Sequence, residues 1–535
     1  MKKILIFLLT TLAVSSCSDF LKEYSQDMIV AKHPSDLDEV LLGSAYLGSS
    51  AVDGGPSGLR MGGFFNILDD DVNTGGDRLD SLGHSTTDVS KAWIQCMTGN
   101  YGYFAWQQDV GINFDGSLSN DDAATWDALY AHINVVNTIL DEIQALPHES
   151  QKDLADWQRV QGESHFLRAQ FYFWLVNLYG DEYEEATAAQ KLGVPLKLIP
   201  GIEFEFARAS VKEVYDQINA DLAKADSFLV CSPQTPDHML HRASSEAVNL
   251  LWSRVLLHQQ RWSEAAEKAE KVIDSENVYL APISSLAPNA AFLSDENPEV
   301  IFSQGCNSLS SPSVFTARNG DFCVTRELYA LYDSLDVRRT CFFSLYDETS
   351  GISNDSVRLN YKYQRGSSLR AHISDYGCLR LSEAYLNASE AYALASLTAG
   401  NGQQAAARAN ALLNELRSQR IQGYQPEEYT GADLVQQIRT ERRKELCFEG
   451  HRWFDLRRYA VCQPLPWSRD ITHSFGVCGD YVGVMYRNIV VLPAHSLNYT
   501  FAIPKSVLKY FTENPFETNP RDVIEPLTSE EDESK

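Results

Sequence analysis

The chain has 535 residues, a formal charge of −27 and 11% aromatic residues. That length can bury a large core, and the acidic balance excludes a nucleic-acid binder, which needs a basic patch. No run after the N-terminus approaches the roughly 18 apolar residues of a membrane-spanning helix.

Met1 to Ser16 reads as a signal peptide: Lys2 and Lys3, an apolar run from Ile4 to Val14, then Ser15 and Ser16 directly before Cys17. Small residues before a cysteine mark a lipoprotein cleavage site. Cys17 is therefore expected to be the acylated first residue, with the lipid as the membrane contact. Residues 17–33 form the tether, which starts acidic with Asp19, Glu23 and Asp27. The remaining nine cysteines lack CxxC spacing and form neither a disulfide framework nor a zinc site. Cys306 with Cys323, and Cys462 with Cys478, are pairings the spacing leaves open.

A short helix is expected over 34–47, then a loop-rich region over 49–116 with no sustained period. Long irregular stretches in compact proteins tend to carry function. This one holds Asp69, Asp71, Asn73 and Arg78, then Trp93, Tyr101, Tyr103, Phe104 and Trp106. Helical hairpins follow over 121–274. Trp126, Leu129, Tyr130, Ile133 and Asn137 share one helical face, and 153–179 is apolar nearly all round after Phe166, which makes it central. Residues 208–228 read as an amphipathic helix. Residues 243–274 read as a hairpin whose Ala265 and Ala269 allow close approach, as in tetratricopeptide units. A second hairpin region spans 379–459, in which Ala406, Asn410 and Leu413 repeat that spacing. Between them lies a loop-rich region over 277–376, and 461–500 is a third. Residues 34–527 read as one domain and 528–535 as a disordered tail.

From Ile438 to Tyr459 the chain reads I-R-T-E-R-R-K-E-L-C-F-E-G-H-R-W-F-D-L-R-R-Y. Leu434, Ile438, Glu441, Glu445 and Phe448 fall on one helical stripe, which puts two carboxylates beside an apolar face where a lone charge is costly. The nearby guanidiniums of Arg442, Arg443, Arg452 and Arg457 are expected to satisfy them, with Gly450 stopping the helix. This is a buried ionic lock, and His451 within it reads as a hydrogen-bonded core residue rather than a catalyst.

That stretch closely resembles the C-terminal signature of the SusD/RagB family of outer-membrane nutrient-binding lipoproteins. The resemblance recurs in W-x-x-x-Y-x-x-I-x-x-x-N from Trp126, G-E-S-H-F-L-R-A from Gly162, and Gly193-Val194-Pro195-Leu196. It continues through N-P-E-V-I-F from Asn297, Asp336 and Arg338 followed by Lys362-Tyr363, and the closing A-I-P-K-S-V-L-K-Y-F-T-E-N-P. Val507 stands there in place of the family's acidic residue. The resemblance implies a mostly α fold with tetratricopeptide-like hairpins as scaffold. It also implies a partner, a SusC-like TonB-dependent transporter barrel beneath a hinged lid.

No GxSxG, HExxH, Walker loop or GxGxxG stands in a usable context, and no carboxylate pair stands out among 72 acids, so no enzyme and no cofactor are assigned. Asp69, Asp71, Asn73, Gly75 and Asp80 fall near calcium-loop positions. Thr74 replaces the usual glycine and flanking helices are absent from the pattern, so no metal is assigned. Trp93, Tyr101 and Tyr103 suit stacking on sugar faces, with Asp71, Asn73 and Arg78 for hydroxyls. Phe315, Arg318 and Asn319 complete this candidate site. Phe104 and Trp106 fit a core plug equally well. The expected function is capture of an oligosaccharide for the transporter. A peptide-binding lid of the same architecture and a lipid-anchored envelope scaffold are the alternatives.

Overall fold

The computed structural model describes residues 31–48, 64–74, 100–118, 123–201, 207–231, 239–283, 291–307 and 309, 322–345, 357–359, 362–363, 373–398, 402–478, 484–509 and 517–529. Its helices include, in chain order, α1 (Pro34–Val40), α2 (Tyr101–Phe104), α3 (Ala124–Glu142), α4 (Gln151–Tyr179), α5 (Val211–Cys231), α6 (Ser245–His258) and α7 (Trp262–Ile273). After the central loop-rich region come α8 (Leu381–Ser396), α9 (Gly402–Ser418), α10 (Gly431–Glu445) and α11 (Arg452–Ala460). The fold is mostly α. None of the described helices is long and apolar enough to cross a membrane.

Helix α4 starts where Ser150 accepts a hydrogen bond from the Asp153 amide at 3.0 Å, and every residue from Val160 to Tyr179 is buried. It packs between α3 and α5. The hairpins α6–α7 and α8–α9 are distant in sequence yet adjacent in space, because α8 lies against α7 as well as against α9 and α10. Ala265, Ala266 and Ala391 make that approach possible, packing with Leu256 and Leu257. On the scaffold sit short antiparallel sheets. One has the order β1 (Val72–Thr74), β5 (Phe322–Val324), β7 (Val357–Leu359), β6 (Phe343–Leu345). Another joins β9 (Ile471–Cys478), β10 (Val484–Leu492) and β11 (Leu527–Ser529). Two-stranded pairs link β2 (Leu192–Pro195) with β3 (Arg208–Ser210), and β4 (Val300–Ser303) with β8 (Cys378–Arg380).

The ionic lock is buried, but its partners are not those that lie nearby in sequence. Glu445, with no exposure, accepts from Arg338 Nη1 at 2.7 Å, Arg380 Nη1 at 2.7 Å and Arg420 Nη2 at 2.9 Å. Glu441 meets Arg417 at 2.7 Å and Arg338 at 2.5 Å. Glu299 and Glu449 complete the anionic set around Arg380, and Lys362 reaches Glu449 at 2.8 Å. The arginines beside Glu441 in sequence turn elsewhere: Arg442 to Asp455, Arg443 to Asp71, Arg452 to Asp70, and Arg457 to Glu182 and backbone carbonyls. The reason is geometric. One helical stripe faces the core, so side chains on the flanking stripes point away from it toward other segments. The helix also ends at Glu445, before Gly450, and the turn passes through positive φ at both Phe448 and Gly450. His451 is buried 3.4 Å from an Arg442 guanidinium nitrogen, and burial together with Arg254 and Arg442 keeps it neutral.

Candidate ligand-binding face

The β1–β5–β7–β6 sheet decides which loop-rich stretches meet. Thr74 pairs with Phe322 at one end of the β1–β5 ladder, and Val72 with Val324 at the other. Val324 pairs with Val357, and Leu359 with Phe343, so Thr74, Phe322, Leu359 and Phe343 lie toward the same end of the sheet. The chain leaves β1 there into residues 75–99 and enters β5 there from residues 310–321. Arg78, Trp93, Phe315, Arg318 and Asn319 belong to those two stretches and lie outside the described residues, as do Gly75 and Asp80.

The described candidates take up protein partners. Tyr103 is buried and stacks on Phe64, with centroids 4.2 Å apart and planes 7° apart. Tyr101 is buried with edge contacts to Phe114 and Phe475. Phe104 and Trp106 are core residues, and the Trp106 indole donates to the Leu68 carbonyl at 2.8 Å. These rings form the floor of the sheet region, not an exposed platform. Asn73 Oδ1 accepts from the Ser474 amide at 2.9 Å, which joins β1 to β9.

Beneath β1 lie the buried carboxylates Asp69, Asp70 and Asp71, whose ligand atoms could converge on a metal. Arginines claim two of them. Arg452 donates to both Asp70 oxygens at 2.7 and 2.9 Å, and Arg443 donates to Asp71 Oδ1 at 2.6 Å. Arg443 continues to Glu327 at 2.7 Å, which also takes Arg469. Burial alone would raise Asp70, but Arg452 and Arg443 hold its carboxyl well below the usual range. Asp69 is pushed well up, first by burial and then by the charges of Asp71 and Asp70. This triad is an anchor that ties β1 to the ionic lock. Cys306, Cys323 and Cys462 form no disulfide, so neither cysteine pairing is present.

The architecture is that of a helical scaffold presenting loop-bearing sheets. A family profile described as "Starch-binding associating with outer membrane" matches residues 70–257, and one described as "SusD family" matches residues 344–519. The chain belongs to the SusD/RagB family. It is 25% identical over 398 residues to SusD-like protein P2 of Formosa agariphila, covering 63% of this chain and 71% of that one. A SusD-like carbohydrate binding protein from Bacteroides vulgatus superposes with a TM-score of 0.63 at 20% identity, over 92% of this chain and 99% of that one. A laminarin binding SusD-like protein gives a TM-score of 0.59 at 20% identity, over 92% of this chain and all of that one.

Sequence reasoning missed His473 on β9. This side chain is fully buried and bridges the Phe104 and Asp69 carbonyls. A lone histidine in an alternating strand carries no signal for such a role.

Proposed function

We propose that the protein is a lipid-anchored surface protein that captures an oligosaccharide without chemistry and passes it to a SusC-like TonB-dependent transporter. Anchoring is through Cys17 at the outer membrane. The observation that carries the ligand face is the pairing of Thr74 with Phe322, because it joins the stretch bearing Arg78 and Trp93 to the one bearing Phe315, Arg318 and Asn319. In this reading those residues contact sugar, while Tyr101, Tyr103, Asp71 and Asn73 hold the strand beneath them. The starch-binding description of the family and the laminarin-binding relative support a glycan over a peptide. Many weak contacts suit a ligand that must be released again.

The test is calorimetry of the detergent-solubilised full chain against starch and laminarin oligosaccharides, with a peptide library alongside. Binding in the micromolar range, near −8 kcal/mol, that disappears in Trp93→Ala is the expected result. Binding unchanged in Trp93→Ala and in Phe315→Ala would move the site off this face. Peptide binding with no response to any glycan would refute the ligand class.

A further inference from the structure

A cleft of about 380 Å³ opens in the helical scaffold where the end of α5, the start of α6 and the end of α7 meet. Its size falls within the roughly 300–1,000 Å³ of small-ligand sites. Charges of both signs line it. Asp226 comes from α5, Glu246 and Asn249 from α6, and Lys271 from α7. The apolar Val230 is 66% exposed, so the described wall is almost wholly polar. The α6 N-terminus is not itself a free anion site, because Ser244 caps it and Glu246 stands in its first turn.

Asn249 shows what the deep end of the cleft lacks. The residue is 4% exposed, and its Nδ2 donates to the Asp226 carboxylate and to the Ser245 carbonyl, both at 2.9 Å. Those two acceptors fix which end of the amide is nitrogen, since the flipped amide would set oxygen against oxygen. Asn249 Oδ1 is then buried with no donor among the described residues, an arrangement that costs stability until a donor arrives. Glu246, one helical turn earlier on the same face, is held by the neutral donors Ser275 Oγ at 2.9 Å and Asn277 Nδ2 at 2.8 Å. No cation among the described residues pairs with it. Asp226 differs, because Lys268 lies 3.4 Å from it and 3.5 Å from the Trp252 ring centroid.

The rim carries the opposite charge. Lys271 is half-exposed, and its one printed ion pair, with Glu267 at 3.6 Å, is a solvent-screened contact between exposed groups. The cleft therefore calls for a cationic donor at its deep end and an anion at its mouth. We propose that it binds a small zwitterion, an α-amino acid, whose ammonium reaches Asn249 Oδ1 and Glu246 and whose carboxylate meets Lys271. An ammonium brings three donors, enough for both deep acceptors. A simple cation would also meet the charge of Lys271, and a simple anion those of Glu246 and Asp226, so the ligand carries both. A hydroxyl can donate and accept but offsets neither charge. This site is separate from the glycan face and does not rest on it.

The experiment measures glycine binding to the detergent-solubilised full chain by calorimetry, with methylammonium, acetate and methyl glucoside as comparisons. Each of the first two lacks one charge-assisted contact, so glycine should bind about tenfold more tightly than either, and more tightly than the glucoside. Glycine should also slow amide hydrogen exchange at residues 226–230, 245–249 and 271–275. Lys271→Met, at the half-exposed rim, should weaken glycine about tenfold and leave methylammonium no weaker. Asn249→Leu should weaken both glycine and methylammonium, and Glu246→Gln carries the same expectation should Asn249→Leu fail to fold. Trp93→Ala should leave glycine binding intact, which separates this site from the glycan face. Glycine binding no tighter than acetate or methylammonium, tighter binding of methyl glucoside, or a glycine affinity unmoved by Lys271→Met would overturn the proposal.

Discussion

Glu445→Gln is the sharpest test of the ionic lock. The substitution keeps the shape and one acceptor oxygen while removing the charge that three buried guanidiniums share at 2.7, 2.7 and 2.9 Å. Each charge-assisted hydrogen bond contributes about 1.5–3 kcal/mol, and the new amide N–H groups would face donors rather than acceptors. Removing one member of a buried ionic cluster typically costs about 3–5 kcal/mol, because the partners left behind are buried and uncompensated. Unfolding entropy is about 2.1 cal/mol/K per residue, so a chain of 535 residues loses roughly 1 °C of melting temperature per kcal/mol. Calorimetric melting should therefore show a drop of about 3–5 °C. A shift no larger than that of Lys212→Ala, which breaks an exposed pair with Asp216, would refute the claim that the lock holds the fold.

The other predictions concern packing and acid stability. In Gly377→Ala the new Cβ would stand 2.2 Å from the Gln304 carbonyl oxygen, so denaturant melts should show a loss of about 1–3 kcal/mol or more. Gly43→Ala, with nothing within 4 Å, should be neutral or slightly stabilising in the same assay. Burial raises the Asp221 carboxyl, but His165 and Arg168 hold it down to about 2, so its contribution of roughly 2 kcal/mol is present above about pH 4 and lost as the pH falls toward 2. Asp221→Asn should melt lower at pH 7 and lose less between pH 4 and pH 2. Parallel acid curves for the two proteins would contradict this.

Most of the helical scaffold was legible because its signal is periodic. Trp126, Leu129, Ile133 and Asn137 are all buried, as their spacing predicts. The lock was legible as a lock but not in its wiring. The stripe bearing Glu441 and Glu445 can be read from one helix, whereas Arg338, Arg380 and Arg420 reach it from segments that only the tertiary fold brings close. The β1–β5 sheet was invisible because strands of three residues carry too little alternation to register. Tyr101 and Tyr103 show the limit of composition. Aromatic rings in an irregular stretch suit a sugar platform or a core equally well, and Phe64 and Phe475, from distant segments, decide for burial here.

The wiring of the lock also sets an order of events for the growing chain. Arg338, Arg380 and Arg420 are synthesised 107, 65 and 25 residues before the Glu445 they share, and Asp71 precedes Arg443 by 372. Until the segment around Glu441 to Arg452 exists, those three guanidiniums lack the carboxylate at their centre, and Asp70 and Asp71 lack Arg452 and Arg443. An incomplete chain thus has only Asp336 and Glu299 to offset Arg338, Arg380 and Arg420, which disfavours premature burial of that cluster. The last-made fifth of the protein acts as a closing key, and fragments ending before Glu441 should stay open and protease-sensitive however well their helices are patterned.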